Sequence, residues 1–331
     1  MNPASLDVTG IGNAIVDVLA QADDGFLARQ KLVKGTMTLI DAARAEALYG
    51  AMAPAIEVSG GSAGNTMAGI ASLGGQGAYI GKVGDDELGR VFAHDLRAIG
   101  VRYDTAPLRK GAPTARSLIL VTPDAQRTMN TFLGASVELG PEDIAPEVIT
   151  AAQVTYLEGY LFDPPRAQAA FRKAAELAHG AGRKVALSLS DPFCVDRHRP
   201  EFRDLVAGHV DILFANEVEI GSLYETRDFD TALRAVRGHC EIAALTRSEK
   251  GSVIVTADAA HKVAAEKVAK LVDTTGAGDL YASGFLFGLT HGRDLATCGR
   301  LGSLCAAEAI SHYGARPEAS LRELAAKAGL I

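Results

Sequence analysis

Tryptophan is absent from this 331-residue chain and cysteine is scarce, at four. Cys194, Cys240, Cys298 and Cys305 form no Cys-x-x-Cys pair and have no histidine partner at finger-like spacing, which excludes a zinc finger and argues against a disulfide scaffold. They read as reduced, half-buried thiols, and the spacing of Cys298 and Cys305 fits one face of a helix. The eight histidines show no His-Glu-x-x-His or comparable ligand spacing, which argues against a protein-held zinc. Basic excess is also missing. Lys and Arg total 33 against 40 Asp and Glu, a net charge of −7, which disfavours a broad nucleic-acid surface but leaves room for a local anion site. No apolar run approaches the ~20 residues that span a bilayer. The N-terminal stretch lacks the basic segment and long apolar core of a secretory leader. The expectation is a soluble cytoplasmic protein with small-molecule partners, neither nucleic acid nor membrane, as monomer or homodimer.

What is present is globular. Hydrophobic residues make up 48% and charged residues 22%, which excludes a disordered or fibrous chain, and 35 glycines suit loops that bring backbone close to a ligand. Short β-rich runs fall at Leu6–Ile11, Gly77–Val83, Ser117–Val121, Val154–Tyr160, Val185–Leu189, Val210–Phe214, Ile242–Thr246 and Ser252–Val255. Between them lie segments with helical spacing. Leu88, Val91, Phe92, Leu96 and Ile99 line one face of a helix that starts after Asp85 and stops at Gly100. Segments 166–180, 216–225, 277–290 and 294–311 read the same way. This alternation predicts a single α/β domain over 1–331, with a mostly parallel sheet and helices on both faces. Its ligand site belongs beyond the carboxyl ends of the strands. Segments 15–40 and 101–135 fit less well and read as a small β layer projecting from the main body.

Four stretches carry chemistry. Gly276-Ala277-Gly278-Asp279 precedes an apolar helical run. Its glycines let consecutive N–H groups converge at a helix N-terminus, an anion hole suited to a transferring phosphoryl group. Asp279, in the first turn, could take a proton from a substrate hydroxyl, or simply favour the helix start. Gly60-Gly61-Ser62-Ala63-Gly64-Asn65 is a second glycine-rich helix entry, without the Lys of a Walker A loop. Here Gly61 and Ser62 would admit a ligand and Asn65 would serve hydroxyls, unless the small residues only pack helix on sheet. Asn13 and Asp17, four apart, suit a vicinal diol or are unrelated polar residues at a strand end. The incomplete Gly10-x-Gly12 stretch disfavours a dinucleotide fold. Asn216-Glu217-Val218-Glu219 follows a strand and could hold Mg²⁺ through water, or begin a helix. Arg127, in the β layer, could reach a phosphate.

Together with Gly81–Asp86, these motifs and their order resemble the PfkB, or ribokinase-like, family of carbohydrate and nucleoside kinases, over about residues 6–317. That resemblance implies a Rossmann-like three-layer α/β/α domain with a small β lid from about 15–40 and 101–135. It also implies ATP, Mg²⁺ and transfer of a phosphoryl group to a primary alcohol. It assigns Asp279 as catalytic base, Gly276, Ala277 and Gly278 as anion hole, and Asn216 and Glu219 as the Asn-x-x-Glu motif that organises Mg²⁺ and phosphate. Thr246 and Gly251 match its ATP loop, with Ser248 in place of the usual middle glycine. Asp273, Thr275 and the loop 311–314 resemble a site for a monovalent cation, potassium in particular. Within the family, Asn13-x-x-x-Asp17, Ser62 and Ser188-Leu189-Ser190-Asp191-Pro192-Phe193 point to the adenosine kinase branch, with Tyr160 as a stacking wall for a purine. The function expected is phosphorylation of adenosine to AMP. Inosine, guanosine or a free sugar is the alternative acceptor, and a binding module without transfer is a further one.

Overall fold

The structure, a computed structural model, describes residues 4–124 and 126–331. The start of the N-terminal stretch and one position of segment 101–135 therefore lie outside the described residues. Nine strands form the main sheet, in the order Ala260–Val263, Ser252–Val255, Ile242–Thr246, Ile212–Asn216, Lys184–Ser188, Ala152–Glu158, Leu6–Ile11, Gly77–Ile80 and Arg102–Tyr103. From Ile242–Thr246 to Arg102–Tyr103 every pairing is parallel, and the two pairings at the other edge, of Ser252–Val255 with Ile242–Thr246 and with Ala260–Val263, are antiparallel.

Both faces of the sheet are covered, as parallel strands require. The period of two sorts each strand into two cores. Val154, Tyr156, Ile212 and Phe214 pack with Met67, Leu280, Phe285 and Leu301 from helices on one face. Leu157, Leu187, Leu213 and Leu245 pack with Phe171, Phe202 and Ile220 on the other. This is the three-layer α/β/α arrangement of the ribokinase-like fold. Several helix starts follow side-chain caps, which satisfy N–H groups left unpaired in the first turn. Asp86 caps Glu87–Ala98 by accepting from Gly89 N–H at 2.8 Å, one residue beyond the predicted start.

A second sheet of five strands runs Met37–Leu39, Arg127–Phe132, Ala115–Val121, Ile15–Gln21 and Ile56–Ser59. It mixes parallel and antiparallel pairs. Arg102–Tyr103 belongs to the main sheet instead, and Ile56–Ser59 joins the second sheet from outside the segments read as β layer.

The Ala277–Thr290 helix lies against Leu295–Ala309, and Gly284 permits this close approach: an added Cβ would sit 2.4 Å from the Leu301 carbonyl oxygen. Cys298 and Cys305 are both fully buried at this seam, with burial pushing each thiol up to about 12. Gly284→Ala should lower stability by about 1–3 kcal/mol, since backbone cannot yield as a flexible side chain would. The check is the urea midpoint; an unchanged value would show that the two helices separate freely.

Candidate active site

The carboxyl ends of the central strands deliver the candidate residues to one place, and the two glycine-rich helix entries meet there. In the Ala277–Thr290 helix Asp279 occupies the first turn. Its Oδ1 accepts from Ser62 Oγ at 2.6 Å and its Oδ2 from Asn65 Nδ2 at 3.0 Å, both from the Ser62–Ser72 helix. Asn65 Oδ1 is buried and has no partner among the described residues, leaving an acceptor for a ligand hydroxyl. Burial raises the Asp279 pKa; the Ser62 and Asn65 hydrogen bonds and nearby Arg316 oppose that rise.

The glycines around Asp279 differ in purpose. Gly276 has φ 79° and an added Cβ would lie 2.5 Å from Ala315 Cβ, so conformation and space both demand glycine. Gly278 meets nothing within 4 Å, so its missing side chain leaves open space. Gly278 and Asp279 N–H find no acceptor among the described residues, while Ala277 N–H bonds Thr274 O at 3.3 Å. Unpaired donors beside open space fit an anion. Gly61, with φ 82°, caps the other helix and its added Cβ would lie 2.3 Å from Asn13 O.

Asp17 and Asn13 part company. Asp17, half-buried on Ile15–Gln21, receives no hydrogen bond among the described residues, and it lies against Gly60, where a Cβ would come within 2.4 Å of Oδ2. Burial raises its pKa to about 6, opposed by Arg316 and Arg127 and reinforced by Asp279. Asn13 is 2% exposed and its amide is spent inside the protein, a departure from the expected hydroxyl-binding role. Its Nδ2 donates to Glu158 Oε1 at 2.8 Å and its Oδ1 accepts from Ser136 Oγ at 2.9 Å.

Glu158 was not legible as a site residue. Its Oε2 accepts from Ala63 N–H at 2.8 Å, so one carboxylate fixes Asn13 and the start of the Ser62–Ser72 helix together. Burial raises it to about 7 against those hydrogen bonds. An acid that ends an apolar strand is the sequence signal for such a group. Arg316 was missed too. It donates from Nε to Ser59 O and from Nη2 to Ser59 Oγ, both at 3.1 Å, within the field of Asp17 and Asp279.

On the opposite side, Asn216 and Glu219 close on each other. Asn216 Oδ1 accepts from Val218 and Glu219 N–H at 2.9 Å, and Glu219 Oε2 accepts from Asn216 N–H at 2.9 Å. This is a capping box, the plain helix-start reading of that motif. Glu219 is nevertheless raised to about 7, by burial and by the negative charges of Asp191 and Asp279. No group of three or more His, Cys, Asp or Glu is arranged to hold a metal among the described residues. Carboxylates without a clustered ligand set suit a hydrated Mg²⁺ better than one bound directly. Tyr160, 42% exposed after Ala152–Glu158, has its pKa raised by burial and by Asp191, Asp279, Glu219 and Glu158.

Thr246 ends its strand, and Gly251, with φ 82°, closes the turn beyond it: a Cβ there would lie 2.0 Å from Val263 O. Ser248 keeps φ 52°, the glycine-like conformation of the residue it replaces. Asp273 and Thr275 are bonded to each other. Asp273 Oδ1 accepts from Thr275 N–H at 3.0 Å and Thr275 Oγ1 at 2.7 Å, and Oδ2 from Gly314 N–H at 3.0 Å. Arg127 Nη1 is 3.0 Å from the same Oδ2, with both side chains 9% exposed. Arg127 Nε and Nη2 are buried without partners among the described residues.

An adenosine kinase from Sinorhizobium meliloti is 56% identical, with 98% of this chain and 100% of that one covered at a TM-score of 0.91. A "probable sugar kinase protein" from Rhizobium etli CFN 42 is 54% identical over 99% of this chain and 100% of that one, at a TM-score of 0.92. The adenosine kinase of Saccharomyces cerevisiae is 26% identical over 92% of this chain and 94% of its own length. Residues 52–321 match the pfkB family of carbohydrate kinases, and with that match the chain belongs to the family and is a kinase.

Proposed function

We propose that this kinase phosphorylates the 5′-hydroxyl of adenosine. The observation that carries the reading is 56% identity, across 98% of the chain, to an adenosine kinase. Kinases of this family use ATP and Mg²⁺ in general. When bound, ATP with Mg²⁺ supplies the phosphoryl group. The rest falls to the chain. Asp17, with no protein donor, accepts from the ribose diol, and Asn65 Oδ1 takes a further hydroxyl. Tyr160 stacks on the base. Asp279 takes the proton of the attacking hydroxyl; Ser62 and Asn65 hold its carboxylate in place, and its raised pKa makes it a stronger base. The turn Gly276–Ala277–Gly278 forms the anion hole, with the free N–H groups of Gly278 and Asp279 as its donors, and the free Nε and Nη2 of Arg127 suit a phosphoryl oxygen. Asn216 and Glu219 would hold Mg²⁺ through water, and Thr246 and Gly251 would flank the nucleotide. The five-stranded sheet carries Asp17 and Arg127 as a lid, excluding water that would otherwise accept the phosphoryl group.

A free sugar is the second reading, favoured by the 54% identity to the Rhizobium etli protein and 27% to a "Probable fructokinase-3" of Arabidopsis thaliana. An ATP-consumption screen across nucleosides and sugars decides between them. Turnover of adenosine far above ribose and fructose supports the proposal; preference for a sugar overturns it.

Asp279→Asn should reduce kcat about 10²–10⁴-fold, with ATP binding retained in calorimetry, because only the proton acceptor is lost. Near-normal turnover would remove Asp279 from the chemistry. Asp17→Ala should raise KM for the nucleoside more than KM for ATP, and 2′-deoxyadenosine turned over as well as adenosine would discount the diol contact.

Glu158 gives a pH prediction. Its folded pKa, about 7, exceeds the ordinary 4.5. Between those values the folded protein binds a proton that the unfolded chain does not. Its contribution therefore favours folding at low pH and is lost as pH rises through about 7. In Glu158→Gln the fall in unfolding free energy between mildly acidic and mildly alkaline pH should flatten by on the order of 1–3 kcal/mol. Parallel urea-melt profiles for parent and variant would contradict this.

A further inference from the structure

We propose that the five-stranded sheet carries a second small-molecule site, on the face turned away from Asp17 and Arg127, that takes a phosphate monoester with a compact organic body. Side chains alternate along each strand. The register sets Asp17, Ser117 and Thr131 abreast on one face, with Arg127 of the last strand beside them, and Val18, Leu118 and Asn130 abreast on the other. Asn130 there lines a cavity of about 500 Å³, a size that suits a small metabolite. The cavity lies between the turn after the Asp24–Arg29 helix, the Met37–Leu39 strand and the first turn of the Ala42–Ala51 helix.

Its lining is basic in a chain of net charge −7: Arg29, Lys31 and Arg44 contribute to it, and no acid does. Arg29 lies 4.0 Å from Asp23, whereas Lys31 and Arg44 have no ion pair among the described residues. Asp41 accepts only the Arg44 backbone N–H, at 2.8 Å, and Gln30 holds the guanidinium in place through its side chain and its carbonyl. Two unpaired cations match the dianion of a phosphate monoester better than a single carboxylate. Asn130 is 1% exposed and its Nδ2 has no partner among the described residues, a donor left for a ligand oxygen. Lys31 is itself out of place. With φ 56° it closes the Asp24–Arg29 helix, its N–H bonding Ala28 O at 3.0 Å and Leu32 N–H bonding Leu27 O at 2.9 Å, and that position favours glycine. A lysine there costs stability with no bonded partner to offset it, which fits a side chain kept for a ligand. Leu32, Val33 and Ile40 give the cavity an apolar wall that a bare phosphate would not use, so the ligand carries an organic body.

The site is independent of the acceptor that the kinase phosphorylates, and binding is read by calorimetry without turnover, so it can fail without the adenosine reading failing. Ribose 5-phosphate and AMP are the monoester probes, with inorganic phosphate as the control. At least one monoester should bind the parent about tenfold or more tightly than inorganic phosphate. Arg44→Gln and Lys31→Gly should each weaken that binding about tenfold, as expected for a lost charge-assisted contact. Without ligand, Lys31→Gly should melt about 2 °C higher, because glycine takes the left-handed conformation without strain. Asp17→Ala should bind the monoester as the parent does. The proposal is overturned if neither monoester binds, if inorganic phosphate binds as tightly, or if Lys31→Gly keeps the parent affinity. Binding lost in Asp17→Ala and kept in Lys31→Gly would place the ligand in the active site and overturn it too. If Arg44→Gln does not fold, Lys31→Gly decides.

Discussion

The site depends on one carboxylate held between two helix N-termini. Asp279 receives Ser62 and Asn65 from a segment more than two hundred residues earlier in the chain, at 2.6 and 3.0 Å. For these bonds to form, both glycine-rich entries must open toward the same point beyond the sheet. The parallel strand order supplies that convergence, since every crossover returns the chain to the same edge. Glu158 extends the arrangement by one step. It bonds Ala63 in the first turn of one of those helices and Asn13 at the end of the Leu6–Ile11 strand. The Asp279 contacts and the frame around Asp17 therefore share a support, and a shift of the Ser62–Ser72 helix would be felt at both.

Much of the fold was legible because fully buried strands and amphipathic helices write strong periodicities. Leu6–Ile11, Ile242–Thr246 and Ser252–Val255 appear with the predicted boundaries, and the 277–290 helix is found at Ala277–Thr290. The short helices Pro192–Arg197 and Phe229–Val236 escaped, being too brief for an apolar face to repeat. Ile56–Ser59 escaped for another reason. Ile56 is 72% exposed, so the strand is defined by its pairing with Ile15–Gln21 and not by burial. Glycine motifs located Asp279 and its partners, because backbone conformation is encoded locally. What each polar group touches is not. Spacing suggested that Asn13 and Asp17 act together, yet the Asn13 amide is consumed by Glu158 and Ser136 while the Asp17 carboxylate has no hydrogen-bond donor among the described residues. Those partners lie 145 and 123 positions away, beyond any local pattern.

Charge explains why the missed residues matter. Asp17, Glu158, Glu219 and Asp279 crowd one region, and all four have raised pKa values, led by burial in each case. Such a cluster would tend to protonate and lose its capacity to accept protons. Arg316 works against this on Asp17 and Asp279, and Arg127 does so on Asp17. Burial disfavours the charge on Arg316 itself and lowers its pKa, and Asp17, Asp95 and Asp279 oppose that. Each sign of charge is tolerable only because the other is present.

That reciprocity bears on how the two sheets work as one site. Asp17 and Arg127 arrive on strands of the five-stranded sheet, while Asp279, Glu219 and Arg316 arrive from the main body. Separating the sheets would leave Asp17 without Arg316 and Asp273 without Arg127, exposing unmatched charge on both surfaces. Water offsets that cost where the surfaces open, because solvated ions need no partner. Docked, they exclude water and must match one another. The ion pair between Arg127 and Asp273, with both side chains 9% exposed, is thus strongest in the docked arrangement, where little water reaches it.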